Sequence, residues 1–369
     1  MTEKELFFLL ALQKAPKIGD ITAKKLLQHC GSAENVFKEK RKNLLAIDGL
    51  GSFMVANILD ENNLKQAEKE LAYIQQNDIQ TTAFFEANYP TNLKHCVDGP
   101  ILLFYDGVIN LNAPAQKIIS VVGTRQVTSY GAAFCEEFVD AISPFNPTIV
   151  SGFAYGVDIC AHKSAMKNEL QTIGCLAHGL NKVYPKAHKK YMRQMMDRGG
   201  FITDFWSDVE PERNHFLRRN RIIAGLADAT VVIESAQKGG SLVTADIALS
   251  YNREVFATPG RTKDKYSEGC NNLIKTQQAH MLTSAADLVY ILGWELEESN
   301  KKGVQKQLFA ELNPDEQPIF DYLQKNGKEL LDVIALDCQI PVHKLTSILL
   351  GMEMKGLVRP LPGKLFEAV

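Results

Sequence analysis

Between residues 115 and 292, short runs of Val, Ile and other apolar or β-branched residues alternate with segments of helical periodicity. Uninterrupted apolar runs are typical of strands that helices cover on both faces. Repeated strand–helix units predict a doubly wound, mostly parallel sheet of the α/β class. We predict strands at 118–122, 148–150, 172–176, 229–233 and 254–257, with helices at 130–142, 155–166, 188–198, 216–226 and 241–249.

The rest of the chain divides by composition, and a length of 369 residues suggests two or three domains. The N-terminal part is rich in Leu, Lys and Ala with helical spacing, and a polar stretch precedes a short C-terminal part. Extended pieces at 89–90 and 101–105 are expected to join the central domain. We predict a helical domain at 1–70, an α/β domain at 71–294, a linker at 295–312 and a small domain at 313–369.

Charge and cysteine usage exclude several classes of protein. The chain has 41 Lys and Arg against 43 Asp and Glu, so it is not a globally basic nucleic-acid binder, although a local basic patch stays possible. There is no run of 18 apolar residues, so no membrane-spanning helix is expected. Seven scattered cysteines without a C-x-x-C motif fit a reducing cytoplasm and argue against disulfides or a zinc site.

Gly, Thr and Arg follow the first predicted strand of the α/β domain, at the end where ligands of such sheets bind. The residues are Gly123, Thr124 and Arg125. A glycine there lets backbone N–H groups face an anion, and an arginine can hold a phosphate through two hydrogen bonds. The loop predicts a phosphate site, although a tight turn with a solvated arginine explains it equally well.

The loop after the strand at 148–150 begins with Ser151 and Gly152 and contains further small residues at a helix start. Small side chains leave space for a ligand, and Ser151 can cap the helix. Asp158 and His162, four residues apart, share one helix face. They could form a catalytic pair, but a hydrogen bond within the helix turn is the favoured interpretation because the motif contains no nucleophile.

A cluster of arginines opens the helix predicted at 216–226. Residues 211–221 contain four arginines and one glutamate around Phe216. Cations that follow phosphates, beside a ring that stacks a base, are typical of single-stranded nucleic-acid sites. The alternative is a solvated charged face with Phe216 packed in the core. For the basic helix at 188–198 a solvated face is the favoured interpretation, whereas for the arginines at 218–221 a binding role is favoured.

A further loop consists of Gly239, Gly240 and Ser241, with Thr244 one turn later. It offers further backbone N–H groups and hydroxyls to an anion. Capping of the helix by Ser241 is the alternative. Because three such loops and the arginine cluster lie at strand ends of one sheet, they should converge on one site. That site is expected to bind several phosphates, and hence a polymer or a nucleotide.

Several of these segments together resemble the DNA-processing protein A (DprA, or Smf) family. They are V-V-G-T-R at 121–125, S-G-F-A-Y-G-V-D at 151–158, R-N-R at 219–221, G-G-S-L-V-T-A at 239–245, and P-G at 259–260 followed by S-E-G-C-N-N-L-I at 267–274. The resemblance implies an extended Rossmann-like fold that binds single-stranded DNA without sequence preference. It further implies protection of incoming DNA in natural transformation, loading of the RecA recombinase, and a homodimer with neither enzymatic activity nor a metal or nucleotide cofactor.

Carried over by position, the resemblance also implies a set of DNA-binding residues. These are Gly123, Thr124, Arg125, Ser151, Gly152, Arg213, Phe216, Arg218, Asn220, Arg221, Gly240, Ser241 and Thr244. The family often has F-P before R-N-R, where this chain has Phe216-Leu217-Arg218, and a Lys where this chain has Arg213. Both departures keep the aromatic ring and the cation, so DNA binding is still expected.

The flanking segments resemble small modules of the same family. Gly hairpins at 16–19 and 47–51 resemble paired helix-hairpin-helix motifs of a SAM-like domain, which either touch DNA through Lys17, Lys24 and Lys25 or only pack against protein. Three helical patterns and two extended pieces around Pro362-Gly363 resemble a winged-helix domain. Its third helix has almost no net charge, which favours protein contact or autoregulation over DNA reading.

Two enzyme hypotheses compete with this interpretation. Phosphoribohydrolases of related Rossmann-like fold pair a Gly-rich loop with a catalytic glutamate, for which Glu234 is the candidate. A nicotinamide-dependent oxidoreductase fits less well. The first strand is not followed by G-x-G-x-x-G, and no acidic residue ends the strand at 148–150 to hold a ribose.

Overall fold

A computed structural model describes residues 1–113, 115–295, 312–355, 357–361 and 365–368. Contacts divide the chain into two compact units, Met1–Glu297 and Glu298–Val369. Most of the linker predicted at 295–312, and the turn at 362–363, lie outside the described residues.

The first unit begins with short helices that pack against one another and against the edge of a sheet. Their buried face includes Leu9, Leu10 and Leu26, and the same core contains Phe104 and Trp206 from the sheet region. Gly19 and Gly51 each immediately precede a helix, where the two hairpins were predicted. The helices are α1 (Glu3–Lys14), α2 (Asp20–Cys30), α3 (Ala33–Lys38), α4 (Arg41–Leu45), α5 (Ser52–Ile58) and α6 (Glu61–Gln76).

The rest of the first unit is a sheet that, in the described residues, has nine strands in the order β1-β2-β6-β5-β4-β3-β7-β8-β9. The run from β6 to β9 is parallel, whereas β1 and β2 add antiparallel strands at one edge. The strands are β1 (Gln80–Ala83), β2 (Leu102–Gly107), β3 (Ile118–Gly123), β4 (Thr148–Ser151), β5 (Thr172–Cys175), β6 (Gly200–Thr203), β7 (Ala229–Ile233), β8 (Glu254–Ala257) and β9 (His280–Met281).

Helices cover both faces of this sheet and form one apolar core on each face. Alternate residues along a strand therefore pack into different cores. In β3, Ile118 and Val122 pack on one face, and Ile119 and Val121 pack on the other. The helices are α7 (Thr91–Lys94), α8 (Ser129–Ile142), α9 (Val157–Lys167), α10 (Lys189–Asp197), α11 (Arg213–Leu226), α12 (Gly240–Ser250), α13 (Glu268–Lys275) and α14 (Ala285–Ile291). The doubly wound α/β fold predicted from the alternating pattern is confirmed.

Strand β3 lies at the centre of the topology. The chain runs outward from it through β4, β5 and β6, and then returns to place β7 against its other side. From the carboxyl end of β3 the chain therefore continues toward one edge of the sheet, and from the carboxyl end of β7 it continues toward the other edge. A crevice at such a switch in strand order is where ligands of open α/β sheets bind.

The second unit is small and has its own core, formed by Ile319, Leu323, Ile334, Leu345 and Leu349 among others. In its described residues, three helices accompany a three-stranded antiparallel sheet with the order β10-β12-β11. The elements are α15 (Gln317–Asn326), β10 (Glu329–Leu330), α16 (Leu331–Asp337), α17 (Val342–Met354), β11 (Val358–Leu361) and β12 (Leu365–Ala368). Three helices followed by a β-ribbon match the predicted winged-helix order.

Candidate nucleic-acid interface

An open groove of about 700 Å3 lies at the carboxyl ends of β3 and β7, and we call it the switch-point groove. Most of the residues that the resemblance assigned to DNA line it: Gly123, Thr124, Arg125, Arg213, Phe216, Asn220, Gly240, Ser241 and Thr244. Tyr184, Arg219 and Lys238 also line it, although they were absent from the predicted set. The lining of the groove thus contains four cationic side chains and one carboxylate, that of Asp158.

The loop after β3 is held against β7 by its backbone. The N–H of Thr124 donates to the carbonyl oxygen of Glu234 at 2.7 Å, and the carbonyl oxygen of Thr124 accepts from the N–H of Val157 at 3.1 Å. A Cβ atom at Gly123 would overlap the carbonyl oxygen of Ile233. Glycine is therefore required for close approach of the two strands, which brings the β3 and β7 loops to one site.

Phe216 and Arg125 form a stack on the wall of the groove. The guanidinium of Arg125 lies 5.0 Å from the centre of the Phe216 ring, and the ring of Tyr184 meets it edge-on at 5.6 Å. Phe216 is half-buried, while Arg125 and Tyr184 are exposed. An aromatic ring and a planar cation offer stacking surfaces to a base, and the charge can follow phosphates.

One face of α11 supplies a row of groove residues. Arg213, Phe216, Leu217 and Asn220 all line the groove at helical spacing. Within the described residues, Arg213, Arg125 and Lys238 form no ion pair with a carboxylate. Their charges are therefore available to an anionic ligand.

Beneath this row, Arg219 is buried and fixed. Its Nη1 donates to the carbonyl oxygens of Gly152, at 2.7 Å, and Cys175. Burial raises the pKa of the Asp158 carboxyl, and the positive charge of Arg219 opposes that shift. The sequence did not distinguish Arg219 from its neighbours in the arginine cluster, because burial of a charge depends on partners from distant loops.

Ser151 and Gly152 lie under the groove and do not line it. The hydroxyl of Ser151 donates to the carbonyl oxygen of Val121 at 2.6 Å, and Ser151 is fully buried. A Cβ atom at Gly152 would lie 2.6 Å from both Arg219 Nη1 and Asp158 Oδ2. The Ser151 hydroxyl and the Gly152 carbonyl oxygen therefore have partners within the protein, and the two residues shape the site without lining it.

Arg218 and Arg221 also lie outside the groove lining. Arg221 is buried, and its Nη2 lies 2.5 Å from Asp204 Oδ2 and 3.0 Å from Asp20 Oδ2. Arg218, which is about half exposed, pairs with the same Asp204 oxygen at 2.9 Å. Asp20 is the first residue of α2, so this cluster joins the N-terminal helices to α11.

The Gly239–Ser241 loop opens α12. The hydroxyl of Ser241 donates to Ser235 Oγ at 2.9 Å and caps no helix, so the alternative of N-capping by Ser241 is wrong. A Cβ atom at Gly240 would meet open space. The bare backbone at Gly240 is thus accessible from the groove beside the exposed Lys238.

Asp158 and His162 do not pair with each other. Asp158 Oδ2 accepts from the N–H of Ala154 at 3.2 Å, whereas His162 Nδ1 lies 2.7 Å from the hydroxyl of Thr172. Burial, with the nearby His188 and Arg219, lowers the pKa of His162 to about 3. Both the catalytic pair and the hydrogen bond within the helix turn were therefore wrong, and His162 is a neutral core residue.

Glu234, the candidate of the enzyme hypothesis, directs its carboxylate to the start of α8. The carboxylate accepts from the N–H of Thr128 at 2.8 Å and from the hydroxyl of the same residue. Its side chain contributes nothing to the lining of the switch-point groove. This arrangement gives Glu234 a capping role at α8, outside the lining of the groove.

Two of the three N-terminal lysines have partners in the protein. Lys24 Nζ donates to the carbonyl oxygens of Cys96 and Val97, both at 3.2 Å, and Lys25 Nζ donates to that of Asp48 at 3.3 Å. Lys17 is exposed.

Across the described residues, no group of three or more His, Cys, Asp or Glu side chains could hold a metal, and no single helix is long and apolar enough to cross a bilayer.

Comparisons with known proteins agree with this architecture. The family model for DNA recombination-mediator protein A matches residues 80–293, and that for the DprA winged helix domain matches residues 305–364. Protein Smf of Escherichia coli is 33% identical over 306 residues, which are 81% of this chain and 80% of that protein. Protein Smf of Synechocystis is 32% identical over 295 residues, which are 79% of this chain and 74% of that protein.

Solved structures show the same similarity. The structure of DNA processing protein A from Streptococcus pneumoniae covers 79% of this chain and 98% of its own, with 30% identity and a TM-score of 0.66. That of DNA processing protein A from Helicobacter pylori, described for its unique single-stranded DNA binding mode, covers 58% and 95%, with 26% identity and a TM-score of 0.52. With its Rossmann-like core and C-terminal winged helix, the chain belongs to the DprA/Smf family of DNA recombination mediators.

Proposed function

We propose that the switch-point groove binds single-stranded DNA without sequence preference, and that the chain then loads the RecA recombinase onto that DNA. The stack of Arg125 on Phe216 carries this proposal, because it places a base-stacking surface and a phosphate-binding charge at one point. Lys238 and Arg213 extend the positive charge along the same open groove. An open, basic groove suits a polymer that runs through it.

The recognition mode follows from the residue types that line the groove. Lysine and arginine contacts to phosphates carry no sequence information. Stacking tolerates every base, because each base has a π-face. The groove is therefore expected to prefer flexible single strands, whose bases can reach Phe216, over duplexes whose bases are stacked internally.

Three further properties belong to the same proposal and rest on membership of the family. The chain protects incoming DNA during natural transformation, acts as a homodimer formed through its Rossmann-like domain, and works in the cytoplasm without catalytic activity. The seven free cysteines support a reducing compartment. The engagement of Glu234 by Thr128 supports a role other than base hydrolysis.

A fluorescence-anisotropy titration tests DNA binding. The full chain is titrated against a labelled single strand and against the matching duplex, at two salt concentrations. We expect tighter binding to the single strand, with an affinity that falls as salt rises because bound phosphates release counterions. Absence of binding, or equal affinity for both forms, would refute the proposal and direct the next assay to base release from nucleoside monophosphates.

RecA loading needs a separate assay. ATP hydrolysis by RecA is followed on single-stranded DNA already covered by a single-strand-binding protein, with and without the chain. We expect the chain to shorten the lag before hydrolysis, and Arg213→Ala to lose this effect in proportion to its loss of DNA affinity. A wild-type chain that binds DNA tightly but leaves the lag unchanged would contradict the RecA step alone.

A further inference from the structure

A second open groove, of about 850 Å3, adjoins the loop that follows β8, and we call it the 259–267 groove. Its lining includes two tyrosines and three basic residues: Tyr130, Arg261, Lys263, Lys265 and Tyr266. The P-G segment and the start of S-E-G-C-N-N-L-I lie at this position, and no chemistry was predicted for either from the sequence.

The groove carries positive charge that no internal partner neutralises. Arg261, Lys263 and Lys265 are all exposed, and they form no ion pair within the described residues. Segment 259–267 contains one carboxylate, that of Asp264. The other carboxylate of the lining, Glu234, is buried and bonded to Thr128. The exposed edge of the groove is therefore attractive to an anion.

Two tyrosines lie among these cations. Tyr130 is 54% exposed, and its hydroxyl donates to the carbonyl oxygen of Pro259 at 3.4 Å. The hydroxyl of Tyr266 bonds to the side-chain oxygen of Gln126, and Lys265 Nζ lies 5.5 Å from the Tyr266 ring centre. Aromatic rings interleaved with cations are the combination that proteins use to bind single-stranded nucleic acids.

Residues of the P-G and S-E-G-C-N-N-L-I segments hold the 259–267 loop in place. Asn271 donates its side-chain N–H to the carbonyl oxygen of Gly260 at 3.0 Å, and its side-chain oxygen accepts from the N–H of Gly260 at 3.1 Å. The N–H of Gly269 donates to the carbonyl oxygen of Ser235 at 2.8 Å. Gly260, Gly269 and Asn271 therefore fix the base of a loop whose cations project outward.

The two grooves are adjacent, and residues that line one are bonded to residues that line the other. The N–H of Ser235, which lines the switch-point groove, donates to the carbonyl oxygen of Tyr266 at 2.6 Å. Gln126, which contacts Tyr266, directly follows Arg125 in the chain. Glu234, in the wall of the second groove, precedes Ser235. A polymer that leaves the first groove over the 124–128 loop thus reaches the second.

We propose that the 259–267 groove holds the continuation of the single strand bound in the switch-point groove. Lys263, Lys265 and Arg261 contact phosphates there, and Tyr130 offers a stacking face to a base. This inference rests on the proposed function, since it extends the DNA path beyond the first site. It predicts a binding site longer than the switch-point groove alone accommodates.

The test compares two oligonucleotide lengths on the full chain. A thymidine oligomer of about six nucleotides fits one groove, whereas one of about 20 can span both, given site sizes of roughly 4–16 nucleotides in single-strand-binding modules. We expect Lys263→Ala with Lys265→Ala to weaken the long oligomer about 3- to 10-fold. The salt slope should fall by about 1.4, because each phosphate that the variant no longer neutralises accounts for roughly 0.7. Affinity for the short oligomer should stay at the wild-type value.

Lys65→Ala with Lys69→Ala is the matched control, because both lysines are exposed on α6 and line neither groove. This control should bind both oligomers as the wild type does. If the double variant at 263 and 265 binds the long oligomer no more weakly than this control, or loses equal affinity for both lengths, the inference is wrong. A wild-type chain that binds neither oligomer overturns the proposed function as well, so the two failures are distinguishable.

Discussion

The guanidinium of Arg125 lies over the ring of Phe216, at 5.0 Å from its centre, although the two residues come from different strand–helix units. Arg125 follows β3 and Phe216 belongs to the first turn of α11. Helix α11 begins after β6, at the carboxyl edge of the parallel sheet, and leads back into β7, the neighbour of β3, so its first turn and the loop after β3 line one groove. The stack is therefore a product of the sheet's strand order.

Removal of either member of the stack should weaken DNA binding. We expect Phe216→Ala to cost about 1–3 kcal/mol of binding free energy, the usual value of one stacked base. Arg125→Ala should weaken binding and also lower its salt dependence, because the variant neutralises one phosphate fewer. Phe216→Tyr keeps the ring and should retain most of the affinity in the anisotropy titration. Wild-type affinity in both alanine variants would exclude this site.

Two glycine substitutions should separate folding from binding. Gly123→Ala places a methyl group against the carbonyl oxygen of Ile233 and should lower the free energy of unfolding by about 1–3 kcal/mol or more, as overpacking does. Gly240→Ala meets open space and should keep the wild-type melting temperature. Because its methyl group covers backbone that faces the groove, it should still weaken DNA binding several-fold. Thermal unfolding and anisotropy on both variants provide the comparison.

The two arginines that pair with Asp204 should differ in their effect on stability. Arg221→Ala removes the buried cation between Asp20 and Asp204, which then keep the half-exposed Arg218 as their ion-pair partner, and it should cost about 3–5 kcal/mol of unfolding free energy. Arg218→Ala removes a half-exposed pair, worth about 0–1 kcal/mol. Urea unfolding measures both. Since Arg218 lies outside the groove lining, its substitution should also lower DNA affinity less than Arg213→Ala does.

His162 should make the fold sensitive to acid. Its pKa is lowered to about 3 by burial, against about 6.5 in an unfolded chain, so between these values only the unfolded state binds the proton. Acidification below pH 6.5 therefore favours unfolding, by up to about 1.4 kcal/mol per pH unit.

The check is urea unfolding of wild type and His162→Gln between pH 7 and pH 5. The stability difference between the two should change in favour of the variant as the pH falls, because the variant lacks the titrating ring. The raised pKa of Asp158 acts in the opposite direction but is present in both proteins, so it cancels in the difference. A constant difference across this range would show that His162 has the same pKa in the folded and unfolded states, as a ring accessible to water would.

The central strands were predictable because each is a short, uninterrupted apolar run buried on both faces. The runs at 229–233 and 254–257 coincide with β7 and β8, and that at 118–122 lacks only the last residue of β3. Strand β6 was missed because it begins with glycine, which has low strand propensity, after a second glycine at 199. The extended piece predicted at 101–105 is confirmed as β2, whereas 89–90 is not a strand.

The alternation of apolar runs and helical segments was enough to place glycine loops, hydroxyls and an arginine-rich helix after the strands of one sheet. Which arginines of α11 line the groove could not be read from that pattern, because it depends on how α11 packs against distant segments. Arg213 lines the groove from its exposed side, and the buried Arg219 lines it while held by backbone carbonyl oxygens. Arg221 is instead buried against Asp20, 201 residues away. The reason is physical: a buried arginine needs partners that cancel its desolvation, and here those partners come from loops and helices distant in sequence.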